Sequence, residues 1–600
     1  MRVLFILLFF TSFAFSQQID QKSAYQYYIN GEYENAIIGY KELIDKRFSP
    51  SYFIPYYSSL LKVKNFKLAE SFAKNLTKKY PGNLQYKIGV ILAANKSGNI
   101  KKSNFLYSKF LNKMGGGRSQ AISASSFFSR YEFYDEALEI YRLSKEINPK
   151  NSFGVQKAQL FSKMGEVELM IKEFLSVMEK NPNQSKMVTA KIQKFIDNDG
   201  IKSEKNYSLV KKLLLQKVNN EEDRTDFSEM LIWLFMQNNK FKMALVQAKA
   251  VDRRTNSNGD IVYDLAETFL NNEDFELAVQ AYDYVISRGK NNLLYIDANI
   301  NRLFALTKYL SSKDKDYSIL NDDYKELINE LGANNKTVIL YTNFAHFNAF
   351  YLHDLVAAEN LLIDAMLISA INDMDLAECK MEYADILLLK GNIWQSMLYY
   401  SQVEKDFKEH PIGHEAKLRR AKISYYQGDF RWAQAQLESL KASTSKFISN
   451  NAMELSLLIT DNFNLDTTEI PMKIFAKADL LFYQQKYEDA LLKYDSLLNR
   501  FNGHSLTDEI YMRKADIYIS SGQIENALKY YKKIDEDWSL DILADDALYK
   551  QAKIYDDMLN DNKLALLTYN KILIDYNSSI FVEESRRRIR ELSKDNKISY

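Results

Sequence analysis

The residues of this 600-residue chain that could hold a metal, pose a nucleophile or cradle a phosphate are few: five histidines, one cysteine and one run of three glycines. His410-Pro411-Ile412-Gly413-His414 sets two imidazoles four residues apart, a spacing that places two ligands on one helix face. Pro411 and Gly413 predict that no helix runs through this stretch, and neither a His-Glu-x-x-His motif nor a carboxylate set accompanies it. Gly115-Gly116-Gly117-Arg118 lacks the Gly-Lys-Ser/Thr ending of a phosphate loop and follows no predicted strand, so it reads as a turn. Cys379 falls within a predicted helix, Leu376 to Ala384, without a local histidine, which favours a packing or surface thiol over a nucleophile. No Gly-x-Ser-x-Gly elbow is present. The expectation is a chain with no catalytic residue, no cofactor and no metal ligand.

What surrounds these residues is a repeat. A small residue is followed twelve positions later by another, with a turn and an aromatic between them. Ala24…Gly31…Tyr33…Ala36…Tyr40 shows the frame first, and Ala266…Ala278…Tyr282, Ala384…Gly391…Ser396…Tyr400 and Ala421…Gly428…Ala433 repeat it. Ala478…Ala490…Tyr494 and Ala515…Gly522…Ala527…Tyr531 follow. Two helices joined by a short turn approach closely only where both carry a small residue, and the flanking aromatics fill the wedge against the next pair. Anchors Ala36, Ala69, Ser103, Ala137 and Met170 step by 33 or 34, as do Ala244 and Ala278; Ala358, Ser396 and Ala433, and then Ala490, Ala527 and Ala565, step by 37 or 38. Pro81, Pro149 and Pro182 close individual repeats. From about residue 20 to 595 this pattern resembles the tetratricopeptide family, whose period is about 34 residues. The resemblance implies an all-α fold, an α-solenoid of tandem helical hairpins, and a role in binding proteins or peptides.

Composition is consistent with that fold. Seven prolines leave long helices uninterrupted, and 41 tyrosines with 35 phenylalanines supply the knobs of a packed interior. A net charge of +1 argues against a general nucleic-acid or anionic-membrane binder. The Arg586-Arg587-Arg588 run with Arg590 reads as a solvated capping face. Met1-Arg2, the apolar Val3 to Phe15 and the small residues of Ala14-Phe15-Ser16 read as a signal peptide, residues 1–16, too short for a comfortable membrane span. The lone Cys379 excludes an intrachain disulfide and a lipid-bearing cysteine at the cleavage point, so the mature chain is expected to be soluble in a Gram-negative periplasm. Four helical segments follow: regular repeats at 17–183, degenerate ones at 184–340, a central set at 341–461 and a C-terminal module at 472–595. Between the last two, Asn462 to Pro471 loses the helical period and reads as a joint.

The C-terminal repeats, with Asp575-Tyr576-Asn577-Ser578-Ser579 leading into Glu583-Glu584-Ser585, resemble those of outer-membrane-assembly lipoproteins and of the Tol-Pal coordinator family. The block from Asn451 to Leu592 also resembles a signal-peptide-bearing tetratricopeptide family common in Bacteroidota. These resemblances imply protein or peptide partners in the cell envelope. In the tetratricopeptide fold the first helix of each hairpin lines a groove through positions one, four and five after its small residue. Carried across, this implies partner contacts at Lys422, Tyr425 and Tyr426, at Asp479, Phe482 and Tyr483, at Asp516 and Ile519, and at Lys553. A non-enzymatic periplasmic scaffold is the reading. A peptidoglycan-processing or enzyme-associated solenoid and a surface-exported interaction protein remain alternatives.

Overall fold

The computed structural model describes residues 20–197, 203–220, 224–311, 316–443, 445–463 and 468–595. The predicted signal peptide and residues 464–467 of the predicted joint lie outside the described residues. Among the described residues there are 32 α-helices and no strand, so the fold is all-α. Consecutive helices pair as antiparallel hairpins in tandem, and each hairpin packs chiefly on its chain neighbours. The chain divides at Val251/Asp252 into two compact units.

The twelve-residue spacing is a helix crossing. Ala24 and Ala36, Ala266 and Ala278, Ala421 and Ala433, Ala478 and Ala490, and Ala515 and Ala527 are all fully buried. Where serine takes one of these places its hydroxyl donates across the crossing: Ser103 to the Ile91 carbonyl (3.1 Å), Ser125 to that of Ala137 (3.0 Å) and Ser396 to that of Ala384 (2.7 Å). Each of these bonds spans twelve residues. The helices are therefore close enough at these crossings for a side-chain hydroxyl to reach the opposite backbone.

Every such hairpin turns through one residue of left-handed backbone, placed five before its second small residue. Gly31, Gly98, Gly391, Gly428 and Gly522 serve there at no steric cost, but Lys64, Glu132, Glu273 and Gln485 hold the same conformation with a Cβ. Glu132, at φ 71°, carries an exposed side chain. Glu132→Gly is expected to stabilise its hairpin by about 1 kcal/mol. Hydrogen exchange in the helices Arg118–Arg130 and Tyr134–Ile147 checks it, and unchanged or faster exchange would contradict the register.

The aromatic four positions after the second small residue is buried as the wedge argument requires: Tyr40, Tyr282, Tyr400, Tyr494, Tyr531 and Tyr569 are at most 2% exposed. The two units use the opposite position of the first helix differently. In the first unit, the position eleven before the second small residue holds Tyr25, Ser58 and Leu92, and the neighbouring space fills with stacked rings such as Phe53 with Tyr57, Phe72 and Phe127. In the second unit that position holds Glu267, Asp385, Asp479 and Asp516. This difference builds the site described next.

Candidate functional site

The first helices of the second unit are joined by a ladder of charged hydrogen bonds. In the Ala384/Ser396 hairpin, Asp385 accepts from the Tyr400 hydroxyl, fifteen residues on, and from Arg419 of the next first helix, thirty-four on. Asp479 repeats the rung: the Tyr494 hydroxyl donates to it and the Arg513 guanidinium stands 3.4 Å away. Asp516 accepts from Tyr531 (2.5 Å) and Lys550 (2.7 Å). Glu267 holds Tyr282, with Asn301 donating at 2.9 Å in place of a cation. The last rung is built by a π turn, Ile554–Met558, whose Asp556 takes both Tyr569 (3.2 Å) and Arg588 (2.7 and 2.8 Å). Arg588 is thus tied into the fold rather than solvated, while Arg586 and Arg587 pair with glutamates of their own exposed helix.

Burial, and after it the neighbouring carboxylates, push the Tyr400, Tyr425 and Tyr494 hydroxyls well above their ordinary range. They stay protonated and act as donors. A buried carboxylate with two hydroxyl donors and a guanidinium is satisfied, and removing it strands all three partners.

The nine residues implied as partner contacts fall in three places. Tyr425 is 2% exposed and donates to Asp479 (2.8 Å), which is itself 8% exposed, so both are interior residues. Tyr483 donates to Asp385 (2.9 Å), and Asp516 is engaged as above. These four side chains link helices, and the burial of Tyr425 and Asp479 corrects the reading of those two as partner contacts. Phe482 and Ile519 are half-buried against the hydrophobic clusters beside them, and Lys553 is exposed, 3.3 Å from Asp557 on its own helix. Lys422 and Tyr426 remain. Both are half-buried; the Tyr426 ring lies between those of Tyr425 (5.5 Å) and Tyr483 (6.2 Å).

Helix Ile470–Tyr483 is docked firmly on what precedes it. Tyr425 to Asp479, Tyr483 to Asp385 and the Gln484 amide to the Leu388 carbonyl (2.9 Å) all span the predicted joint. The helix between, Lys446–Phe463, packs on the helices Pro411–Tyr426 and Phe430–Leu440, and its Asn462 reaches forward to Glu509 (3.1 Å).

The paired histidines, the lone cysteine and the glycine run have plain structural roles. His410 caps a helix, Pro411–Tyr426, that begins at the proline; the prediction that no helix runs here is corrected, because proline's missing N–H is harmless at a first helical position. His414 instead meets the Ser443 hydroxyl at 3.1 Å. Among the described residues no group of three or more His, Cys, Asp or Glu is placed to hold a metal. Cys379 is fully buried beside the Thr342 hydroxyl (3.2 Å), and burial pushes its thiol up to about 11, which makes it unreactive. Gly116 lies where a Cβ would meet the Ile147 side chain at 2.6 Å, and its carbonyl accepts from the Asn151 amide (2.7 Å). Among the described residues no helix is long and apolar enough to cross a membrane.

Against known proteins, one segment of this unit is recognised. Residues 475–541 match the tetratricopeptide repeat family. The matched segment contains the Ala478/Ala490 and Ala515/Ala527 hairpins, so here the repeat read from the sequence and the family pattern coincide. No curated protein matches the sequence. Among solved structures, the chain is similar to one in Naa15/Naa10 bound to HypK-THB, at 11% identity over 92% of this chain and 88% of that one, TM-score 0.29. It is also similar to a chain of the APC/C hetero-tetramer Cut9-Hcn1, at 11% identity over 90% and 96%, TM-score 0.26. A tetratricopeptide repeat protein from Parabacteroides merdae ATCC 43184 aligns at 12% identity over 46% of this chain and 93% of its own, TM-score 0.26.

Proposed function

We propose that this protein is an exported, non-enzymatic scaffold of the bacterial cell envelope that holds other proteins during envelope assembly, secretion or maintenance. The observation that carries the reading is the tandem repetition itself. Each hairpin spends its crossing residues on its partner helix and its wedge aromatic on the next hairpin, which leaves rows of helix faces for other chains. The match of residues 475–541 to the tetratricopeptide repeat family supports a protein-binding role. Trp394 and Trp432, on the second helices of successive hairpins, are 74% and 56% exposed and offer the large contact area that protein interfaces favour. The charged start, apolar run and small-residue end of residues 1–16 support export.

Cross-linking of intact cells carrying an affinity-tagged chain, followed by fractionation and mass spectrometry, tests this. The expected result is a periplasmic chain beginning after residue 16 that recovers a reproducible set of envelope proteins. Retention of Met1 in the cytoplasm would overturn export. Recovery of nothing above an untagged control would overturn the scaffold, and cleavage of peptidoglycan by the purified chain would overturn the non-enzymatic assignment.

A further inference from the structure

One hairpin reverses the charge at the ladder's acidic position. At the position held by Asp385, Asp479 and Asp516 in its neighbours, the Ala421/Ala433 hairpin carries Lys422. At the position of Tyr400, Tyr494 and Tyr531 it carries Leu437, fully buried. The rung has lost its acceptor and its hydroxyl donor together, and a cation stands in the acceptor's place.

The groups around Lys422 are already committed. Asp385 and Glu415 are held by Arg419, the latter at 2.9 Å, and Asp479 is held by Tyr425, Tyr494 and Arg513. Glu454 faces it from helix Lys446–Phe463 and favours its charged form, but is exposed and forms no ion pair with it. Among the described residues nothing lies within hydrogen-bond or ion-pair reach of the Lys422 ammonium or the Tyr426 hydroxyl, and neither atom is sealed from solvent. Burial, foremost, pulls the Lys422 amine below its ordinary range, with Arg419 and Arg513 adding to the effect against Glu415 and Glu454. An ammonium held in a recess without a counter-charge costs stability that a hydrophobic residue there would not.

We propose that Lys422 is the docking point for an acidic side chain of a partner's peptide segment, whose carboxylate completes the missing rung. The inference rests on the scaffold reading and adds the chemistry of the partner. The carboxylate takes the part that Asp385, Asp479 and Asp516 play in neighbouring rungs, where each faces a cation. Desolvation by the surrounding helices makes such a pair stronger than one on an open surface.

The test uses the full mature chain and a fluorescent ten-residue peptide of alternating glycine and glutamate, blocked at both ends, with its glutamine counterpart as control. By anisotropy at low ionic strength the glutamate peptide is expected to bind the wild type at least about tenfold more tightly than the glutamine peptide. Lys422→Met is expected to abolish that preference and Lys422→Arg to retain it. Because the methionine variant removes an unpaired ammonium, its thermal midpoint should equal or exceed that of the wild type, so lost binding is not lost folding. Equal binding of both peptides to the wild type, no binding of either, or an unchanged preference in Lys422→Met overturns the site. A peptide with a free C-terminal carboxylate and no acidic side chain separates the two carboxylate sources, and its preferential binding overturns the side-chain assignment. If the peptide test fails while cross-linking still recovers envelope proteins, the site falls and the scaffold stands; if the wild type recovers nothing, the scaffold itself falls.

Discussion

Asp479→Ala is expected to cost about 3–5 kcal/mol in the second unit, the range for breaking a buried ion pair by removing one partner. The carboxylate is 8% exposed and serves three groups: the Tyr425 hydroxyl at 2.8 Å, the Tyr494 hydroxyl, and the Arg513 guanidinium at 3.4 Å. Its loss leaves a guanidinium and two phenols without an acceptor, between helices Pro411–Tyr426, Tyr487–Arg500 and Thr507–Ser520. Repeats couple chiefly to their neighbours, so a single unfolding midpoint is a poor measure and native-state hydrogen exchange is the right one. Amides of those three helices should exchange faster by a factor set by the lost free energy, while helices of the first unit stay protected. Asp479→Asn, which keeps one acceptor oxygen, should cost less. Equal exchange in Asp479→Ala and the wild type would show that the rung contributes nothing.

Glu509→Gln is expected to stabilise the protein in mildly basic solution and to leave it unchanged in acid. Glu509 lies against Asp508, which is 2% exposed; one of its oxygens accepts from the Asn462 amide at 3.1 Å and the other is buried without a partner. Asn462 in turn accepts from the Ser505 hydroxyl at 2.6 Å. Burial first, and the adjoining Asp508 carboxylate second, push the Glu509 carboxyl up to about 9. A raised folded value means the native state holds a proton that the unfolded chain releases near pH 4.5. The group's contribution is therefore full below about pH 4.5 and is lost as pH rises from there towards about 9. Glutamine keeps the acceptor for Asn462, offers Asp508 a donor and does not titrate. The variant should gain about 2–4 kcal/mol over the wild type at pH 8 and nothing at pH 4. Urea unfolding followed through the C-terminal helices at both pH values checks this, and an equal difference at the two would remove the titration from the explanation.

The sequence by itself determined the hairpins. Two helices that cross closely need small residues at the crossing and a wedge filler one turn later, so the demand falls on fixed, short spacings and is legible without coordinates. Ala478, Ala490 and Tyr494 are buried where that rule puts them. The turn position followed from the same frame, although Glu132 and Gln485 show that the backbone conformation is imposed by the crossing even where no glycine is supplied. The sequence also named the helix face on which Asp479, Tyr483 and Lys422 lie.

Only the tertiary structure decided what that face meets. Asp479 is engaged by side chains 15, 34 and 54 residues away, and Tyr483 by one 98 residues away. A face position says which way a side chain points, and the desolvation and pairing it meets there depend on the neighbouring helix. The 15- and 34-residue spacings of the rungs were present in the sequence, yet an acid, a tyrosine and an arginine at those distances acquire meaning only once adjacent first helices are known to touch. The same contacts that consumed Asp479, Tyr425 and Tyr483 are what leave Lys422 conspicuous: its charge was readable from the start, and its lack of a partner only from the packed helices around it.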